Sequence, residues 1–265
     1  MIRNTIRNIT QKLGYDFVKT SSYDYGRRFK KQSGEAEYDY YETPNGNYYF
    51  PKNCKSDDIA NTIKRGGLFD EPILELAKQF IKPNTTVLDL GANFGQMSIE
   101  FSTMAKNVRV FAFEAQEKVY RVLCKNIKAN NAENVTPVHR AVFDKPDVDL
   151  VFPVADLVRF KTYGSYGVDL SGKAGALVKS TTIDSLNFDL PVSFMKIDIQ
   201  GSDLFAMKGA VETIQKYRMP IIFEYEEGFQ KDFNTSFQDY VNFVNSIGYR
   251  FLKTIQDINY LIVPV

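Results

Sequence analysis

Little in this sequence is equipped for metal or thiol chemistry. It contains one histidine, His139, two cysteines, Cys54 and Cys124, and no tryptophan. A single histidine excludes most zinc sites and leaves few options for a Ser-His-Asp triad, so no metal site is expected. The cysteines form no CxxC pair and read as reduced thiols, which makes the cytoplasm the expected compartment. An excess of one charge is also missing: 33 Lys plus Arg stand against 32 Asp plus Glu. Nucleic-acid binders need a strongly basic face, so no nucleic-acid partner is expected. No apolar run is long enough for a membrane-spanning helix, and the N-terminus lacks the apolar core of a secretory signal.

The 265 residues, 44% hydrophobic and 25% charged, suit a globular chain. Two parts are expected: an extension over residues 1–66 and a larger domain over residues 67–265. At the start, Ile2, Ile6, Ile9 and Leu13 recur at helical spacing, with Arg3, Arg7 and Lys12 elsewhere on the wheel. Such a helix packs on its own domain or on a second subunit of a homo-oligomer; the alternative is peripheral contact with an anionic membrane. Aromatic runs at 38–41 and 48–50 flank Pro44, Asn45 and Gly46, a hairpin signal. A short helix is expected over residues 57–64, capped by Ser56 or Asp57. Asp70 is expected to cap a second helix that has Pro72 in its first turn.

From Thr85 the pattern alternates. Strands are predicted at 86–90, 108–113 and 135–138, with helices at 96–106 and 117–131 between them. That β-α-β-α-β run indicates a parallel sheet with helices on both faces. Residues 144–181 interrupt it with four glycines and two strand-like runs, read as an inserted hairpin and loop beside the ligand crevice. The alternation resumes with a strand at 194–197, a helix at 203–217, a strand at 220–225 and a helix at 236–247. Two last strands, 249–255 and 260–263, follow a short connection and must be antiparallel.

The segment VLDLGANFG, residues 87–95, carries the most chemistry. A buried strand ends in Asp89 and turns through Gly91, Ala92, Asn93 and Gly95 into a helix whose free N–H groups can meet a ligand's carboxylate. A dinucleotide site wants G-x-G-x-x-G; here Asn93 and Gln96 occupy the second and third glycine positions. S-adenosylmethionine has no pyrophosphate and tolerates Asn93, and its ammonium suits Asp89. Glu114 ends the next strand, where an acid accepts both ribose hydroxyls. Asp198, in FMKIDIQG (194–201), ends another strand, and Glu224 a fourth. Together with His139 and Ala141 these residues converge on the carboxyl edge of one sheet, where open α/β sheets bind ligands. Asp198 is the first candidate for a general base and His139 the second; His139 reads equally as a hydrogen-bonded turn residue. Glu224 either binds substrate or pairs with Lys196. Tyr163 and Tyr166, in the insert, have rings suited to a sugar face.

These residues resemble the FkbM family of methyltransferases. The resemblance rests on DLGANFG (89–95), AFE (112–114), TTIDSL (181–186), KIDIQG (196–201) with Leu204 and KGA (208–210), and IFE (222–224). It spans about residues 67–225. It implies a class I methyltransferase fold: a mostly parallel seven-stranded sheet with an antiparallel last strand. It also implies S-adenosylmethionine as cofactor and O-methylation, often of sugars in glycans or of small natural products. The family often has Glu where Gln200 stands and Pro where Ala115 stands. The expected function is therefore O-methyl transfer to a hydroxyl of a sugar or glycan acceptor. Two alternatives stay open: a nicotinamide-dependent oxidoreductase, disfavoured by Asn93, and a non-catalytic Rossmann-like binding module.

Overall fold

The computed structural model describes residues 30–31, 37–52, 54–153, 162–172 and 175–265. The helix expected over residues 2–13 lies outside them. Near the N-terminus β1 (Lys30–Lys31), β2 (Tyr38–Thr43) and β3 (Gly46–Pro51) form an antiparallel sheet. Thr43 pairs with Gly46, so Pro44 and Asn45 make the turn and Gly46, at φ +116°, opens β3. The turn thus sits one residue earlier than an Asn-Gly turn would, because proline presets its first position. Helix α1 (Asp58–Lys64) is capped by Asp57, not Ser56: Asp57 Oδ1 accepts the Ala60 N–H at 2.7 Å. Asp70 precedes α2 (Glu71–Ala77) as expected, yet its side chain makes no capping bond and lines the cleft described below.

The alternating core follows. Strand β4 (Thr86–Leu90), α3 (Gln96–Thr103), β5 (Arg109–Phe113), α4 (Glu117–Ala129) and β6 (Val135–Val138) fall where the periodicity puts them. The insert then builds a small sheet of its own. Strand β8 (Asp149–Phe152) pairs antiparallel with β9 (Ala176–Thr181), while β7 (Ala141–Val142) lies parallel to β9. After β10 (Val192–Ile197), the single helix expected over 203–217 is two, α5 (Asp203–Lys208) and α6 (Val211–Tyr217). Gly209 breaks it: a Cβ there would stand 2.1 Å from the Phe143 carbonyl oxygen. The Asp184 carboxylate then accepts the N–H groups of Glu212 and Thr213, giving α6 its own cap. Beyond β11 (Ile221–Glu224) lies α7 (Glu227–Phe233), a helix the pattern does not announce because Gly228 breaks its apolar spacing. Helix α8 (Phe237–Ser246) opens with a Ser236–Asp239 capping box and leads to β12 (Tyr249–Ile255) and β13 (Asn259–Pro264).

The main sheet has the order β12-β13-β11-β10-β4-β5-β6. β6, β5, β4, β10 and β11 run parallel, and β13 is antiparallel to both neighbours. Every residue of β4 and β10 is buried, as befits strands covered on both faces. Side-chain alternation divides the core: Val87 joins one face, with Phe94, Phe101 and Phe194, while Leu88 and Leu90 join the other, with Met195 and Ile197. The chain moves outward from β4 to β6, then returns to β10 on the other side. That reversal places the crevice beyond the carboxyl ends of β4 and β10. The N-terminal hairpin docks on α4. Asn130 and Asn126 supply β3 with substitutes for a strand partner: Asn130 Oδ1 accepts the Asn47 N–H at 2.8 Å and Asn126 Oδ1 the Tyr49 N–H at 2.6 Å. Among the described residues, no helix is long and apolar enough to cross a membrane.

Candidate active site

A cleft of about 380 Å³ opens at that reversal. One half is walled by the turn after β4, by Glu114 and by residues 140–142; the other by Asp198, Glu224, Glu226 and the β12–β13 hairpin, which contributes Gln256 and Asn259. Gly91, Ala92, Asn93, Gly95, Glu114, Ala141, Tyr166, Asp198 and Glu224 all line it. The glycines shape its floor. A Cβ on Gly91, at φ +84°, would stand 1.9 Å from the Asp198 carbonyl oxygen, so glycine lets the ends of β4 and β10 meet. A Cβ on Gly95 would stand 2.5 Å from Leu123 Cδ1, so glycine seats α3 against α4. Asn93 takes the left-handed conformation at φ +51°, which asparagine tolerates better than most residues. Asn126 adds a link that no local pattern announces. Its amide donates to the Phe94 carbonyl at 2.8 Å and so ties the cleft floor to the N-terminal hairpin.

Glu114 is fixed from both sides. Its Oε2 accepts the Asn93 N–H at 3.0 Å and its Oε1 the Gln116 N–H at 2.8 Å. Burial pushes its carboxyl up to about 7, against the pull of those two bonds. A carboxylate has roughly four acceptor sites, so both oxygens retain capacity toward a diol in the cleft.

Asp89 does not reach the cleft wall. It is fully buried, accepts the Ser98 hydroxyl through Oδ2 and faces Lys196 Nζ at 3.6 Å through Oδ1. In this arrangement it faces Lys196 and is not among the residues lining the cleft. Lys196 pairs with Asp198 Oδ2 at 3.2 Å and donates to the Gly91 carbonyl at 3.4 Å; of the two readings open for Glu224, the pairing with Lys196 is not formed. Burial alone would lower the Lys196 pKa, but Asp198, Asp89 and Asp70 around it raise it. Burial likewise works to raise Asp198, yet Lys196 and the hydrogen bonds on the carboxylate hold it below its usual range. Glu224 goes the other way: burial and the neighbouring Asp198 push it up to about 11. Of the two neighbours, Asp198 favours its charged form and Glu224 its neutral one.

His139 is placed elsewhere. Its ring stacks on Tyr120 at 4.8 Å and its Nε2 lies 3.1 Å from the Ala115 carbonyl; it follows the end of β6 but is not on the cleft wall. The turn-shaping reading fits that geometry, and the base reading does not. Tyr163 lines the cleft but is held by packing: it is buried, edge-on to Phe94 at 5.9 Å, with its N–H donated to Asp57 Oδ2 at 2.7 Å. Asp70, Arg140, Glu226, Gln256 and Asn259 line the cleft although no motif points to them. Their positions follow from strand order, which a linear pattern does not carry.

Residues 89–251 match the Methyltransferase FkbM domain. The chain belongs to the FkbM methyltransferase domain family. Its cofactor is S-adenosylmethionine, and the cleft fits that molecule: Glu114 has acceptor capacity for a ribose diol, and the glycine turn lies beside it. Over 75 residues the chain is 37% identical to the tRNA(Phe) (4-demethylwyosine(37)-C(7)) aminocarboxypropyltransferase of Methanocaldococcus jannaschii, a match covering 28% of each protein. The chain thus spans little more than a quarter of that relative's length. Among solved structures it is similar to an FkbM methyltransferase from Methylobacillus flagellatus, at 18% identity and a TM-score of 0.47, covering 68% of this chain and 43% of that one. It is also similar to TYW2 of M. jannaschii in complex with AdoMet, at 14% identity and a TM-score of 0.41, covering 88% and 86%.

Proposed function

We propose that this FkbM-domain protein transfers a methyl group to a hydroxyl of a sugar, within a glycan or an activated precursor, in the cytoplasm. The observation that carries the reading is Asp198, paired with Lys196, in the same cleft as Glu114 and the glycine turn. S-adenosylmethionine supplies a methyl on a sulfonium, a leaving group that departs neutral. The acceptor oxygen forms the new C–O bond as the S–CH₃ bond breaks, and its proton passes to an Asp198 oxygen. Because the leaving group is good, a weakly basic carboxylate suffices, and alignment contributes most of the acceleration. Glu114 and the floor around Gly91 to Gly95 would hold the donor half; Glu224, kept neutral, hydrogen-bonds Asp198 and lines the acceptor side without competing for the acceptor's proton.

The acceptor class follows from charge and shape. Among the described residues lining the cleft, Asp58, Asp70, Glu114, Asp198, Glu224 and Glu226 outnumber Arg140 and Lys196, and Lys196 is already paired. A polyanion such as tRNA would meet mostly like charge there, with Arg140 as the one unpaired cation among the described lining residues. A neutral polyol finds carboxylates and amides able to bond its hydroxyls, with Tyr166 beside them. We also place the catalytic domain at residues 67–265 and treat residues 1–66 as its extension. Labelled-methyl transfer should be screened over sugars, lipids, proteins, tRNA and small aromatics. Transfer to a sugar hydroxyl is the expected outcome. Transfer only to tRNA or protein would refute the acceptor class, and an absence of transfer to every class would refute the enzyme reading.

A further inference from the structure

Two acids end neighbouring strands. Ile197 pairs with Phe223 across β10 and β11, so the next residues, Asp198 and Glu224, stand side by side at the cleft. Adjacent parallel strands lie only about 4.8 Å apart, and two carboxylates that close do not both ionise readily. Lys196, ion-paired with Asp198, decides which one keeps the charge, and the two acids hydrogen-bond each other. Gln200 is placed to fix their separation. Its Nε2 donates to Asp198 Oδ1 at 2.9 Å and to Glu224 Oε2 at 2.7 Å, one amide hydrogen for each acid. The residue is buried and takes φ +52°, the left-handed conformation, and its side chain reaches back across the strand ends. The insert leans on it as well: a Cβ on Gly167 would stand 2.5 Å from the Gln200 carbonyl oxygen.

We propose that Gln200 is a positioning residue: its amide holds Asp198 and Glu224 as one hydrogen-bonded unit, with Asp198 kept as the member that receives the acceptor's proton. The consequence for turnover rests on the methyltransferase reading above; the clamp itself does not. An amide suits this position for an electrostatic reason. The groups facing the pair are Lys196 on β10, Asp89 on β4, Glu114 beyond β5, Asp70 ahead of α2, Asp203 at the start of α5, and Glu226 beyond β11. Lys196 is the only cation in that set, and it touches Asp198 and Asp89. Glutamate at position 200 would set a third acid against the pair without a hydrogen to offer when ionised. A neutral donor adds no charge of its own and stabilises the ionised member, which Lys196 makes Asp198.

The test uses Gln200→Ala and the near-isosteric Gln200→Glu, with S-adenosylhomocysteine affinity by calorimetry as the check that the cofactor half is intact. Carboxyl ¹³C NMR then follows Asp198 and Glu224 in the free protein, independent of any acceptor. In Gln200→Ala the Asp198 titration should move up by about one pH unit, the effect of removing a hydrogen bond to the charged form. The acid limb of the kcat profile should move with it, while S-adenosylhomocysteine affinity stays within about twofold. Gln200→Glu should lose about tenfold or more in turnover at neutral pH, equivalent to one unit in pKa, and recover part of it in mild acid as the new carboxyl gains a proton to donate. If both variants titrate like wild type and lose only thermal stability, Gln200 is a packing residue and the proposal is overturned. If no acceptor is methylated by the wild type, the titration still decides the clamp, and it is the enzyme reading that fails.

Discussion

Gly91 shows how one position can serve a site without touching a ligand. The motif suggests that a side chain here would occupy the cofactor's place; the structure puts the obstruction behind the loop, at the Asp198 carbonyl oxygen. Gly91→Val should therefore unfold or loosen the β4–β10 junction before it blocks anything. The positive φ alone accounts for about 1–2 kcal/mol, and the clash adds to it. Denaturant melts of the free protein should show the loss; wild-type stability with lost S-adenosylhomocysteine binding would restore the direct reading. Asp198→Asn makes the opposite kind of case. The amide keeps the shape and drops the basicity, so turnover should fall by roughly 10²–10⁴ with little change in cofactor affinity. Full-rate turnover would remove Asp198 as the base and leave alignment to carry the reaction.

Asp57 works between elements. It caps α1 through Oδ1 and holds the insert through Oδ2, which accepts the buried Tyr163 N–H. One carboxylate thus joins the N-terminal extension, the helix after it and the loop that walls the cleft. Asp57→Ala should remove about 1 kcal/mol of capping and leave a buried N–H without its partner, worth about 1–3 kcal/mol more. Chemical denaturation measures the sum. Acceptor turnover should fall further than cofactor binding, because Tyr163 leads directly into Tyr166 and Gly167 on the acceptor side. A change under about 0.5 kcal/mol would show that the contact is not formed in solution.

At the scale of the whole molecule, the concentration of acids in one cleft makes stability depend on pH. Burial pushes Glu114 and Asp203 up to about 7 in the folded state, above their ordinary carboxylate values. A carboxyl raised on folding contributes stability that is full below its unfolded pKa and is lost as pH rises through the folded one. The window is therefore about pH 4 to 7, with a slope of up to about 1.4 kcal/mol per pH unit for each group. Glu224 extends the trend upward, and Asp198, held below its usual range, reverses it only in stronger acid. Calorimetric melts of the free protein should give a falling Tm from pH 5 to 8, with a shallower fall in Glu114→Gln. A flat or rising Tm would mean that these acids are better solvated than their burial indicates.

The features that depend on near neighbours in the chain were decided by the sequence. The alternation of strand and helix after Thr85, the glycine turn, and the acids at 114, 198 and 224 are visible because apolar period and turn chemistry are local properties. They were enough to place the cleft on the carboxyl edge of the sheet and to name the cofactor. Which acid keeps its proton was decided only when β10 and β11 came side by side, and so were Gln200's hold on both and the assignment of Lys196 to Asp198 and Asp89. His139 follows a strand end just as Asp198 does, yet the stacking of its ring on Tyr120 turned it away from the cleft. The anchoring of Tyr163 by Asp57, over a hundred residues earlier, left no periodic trace. Strand order and side-chain direction depend on packing between segments far apart in the chain, and hydrogen bonds in a low-dielectric cleft amplify small differences in position. The residue types were written in the sequence; the division of charge among them was a tertiary event.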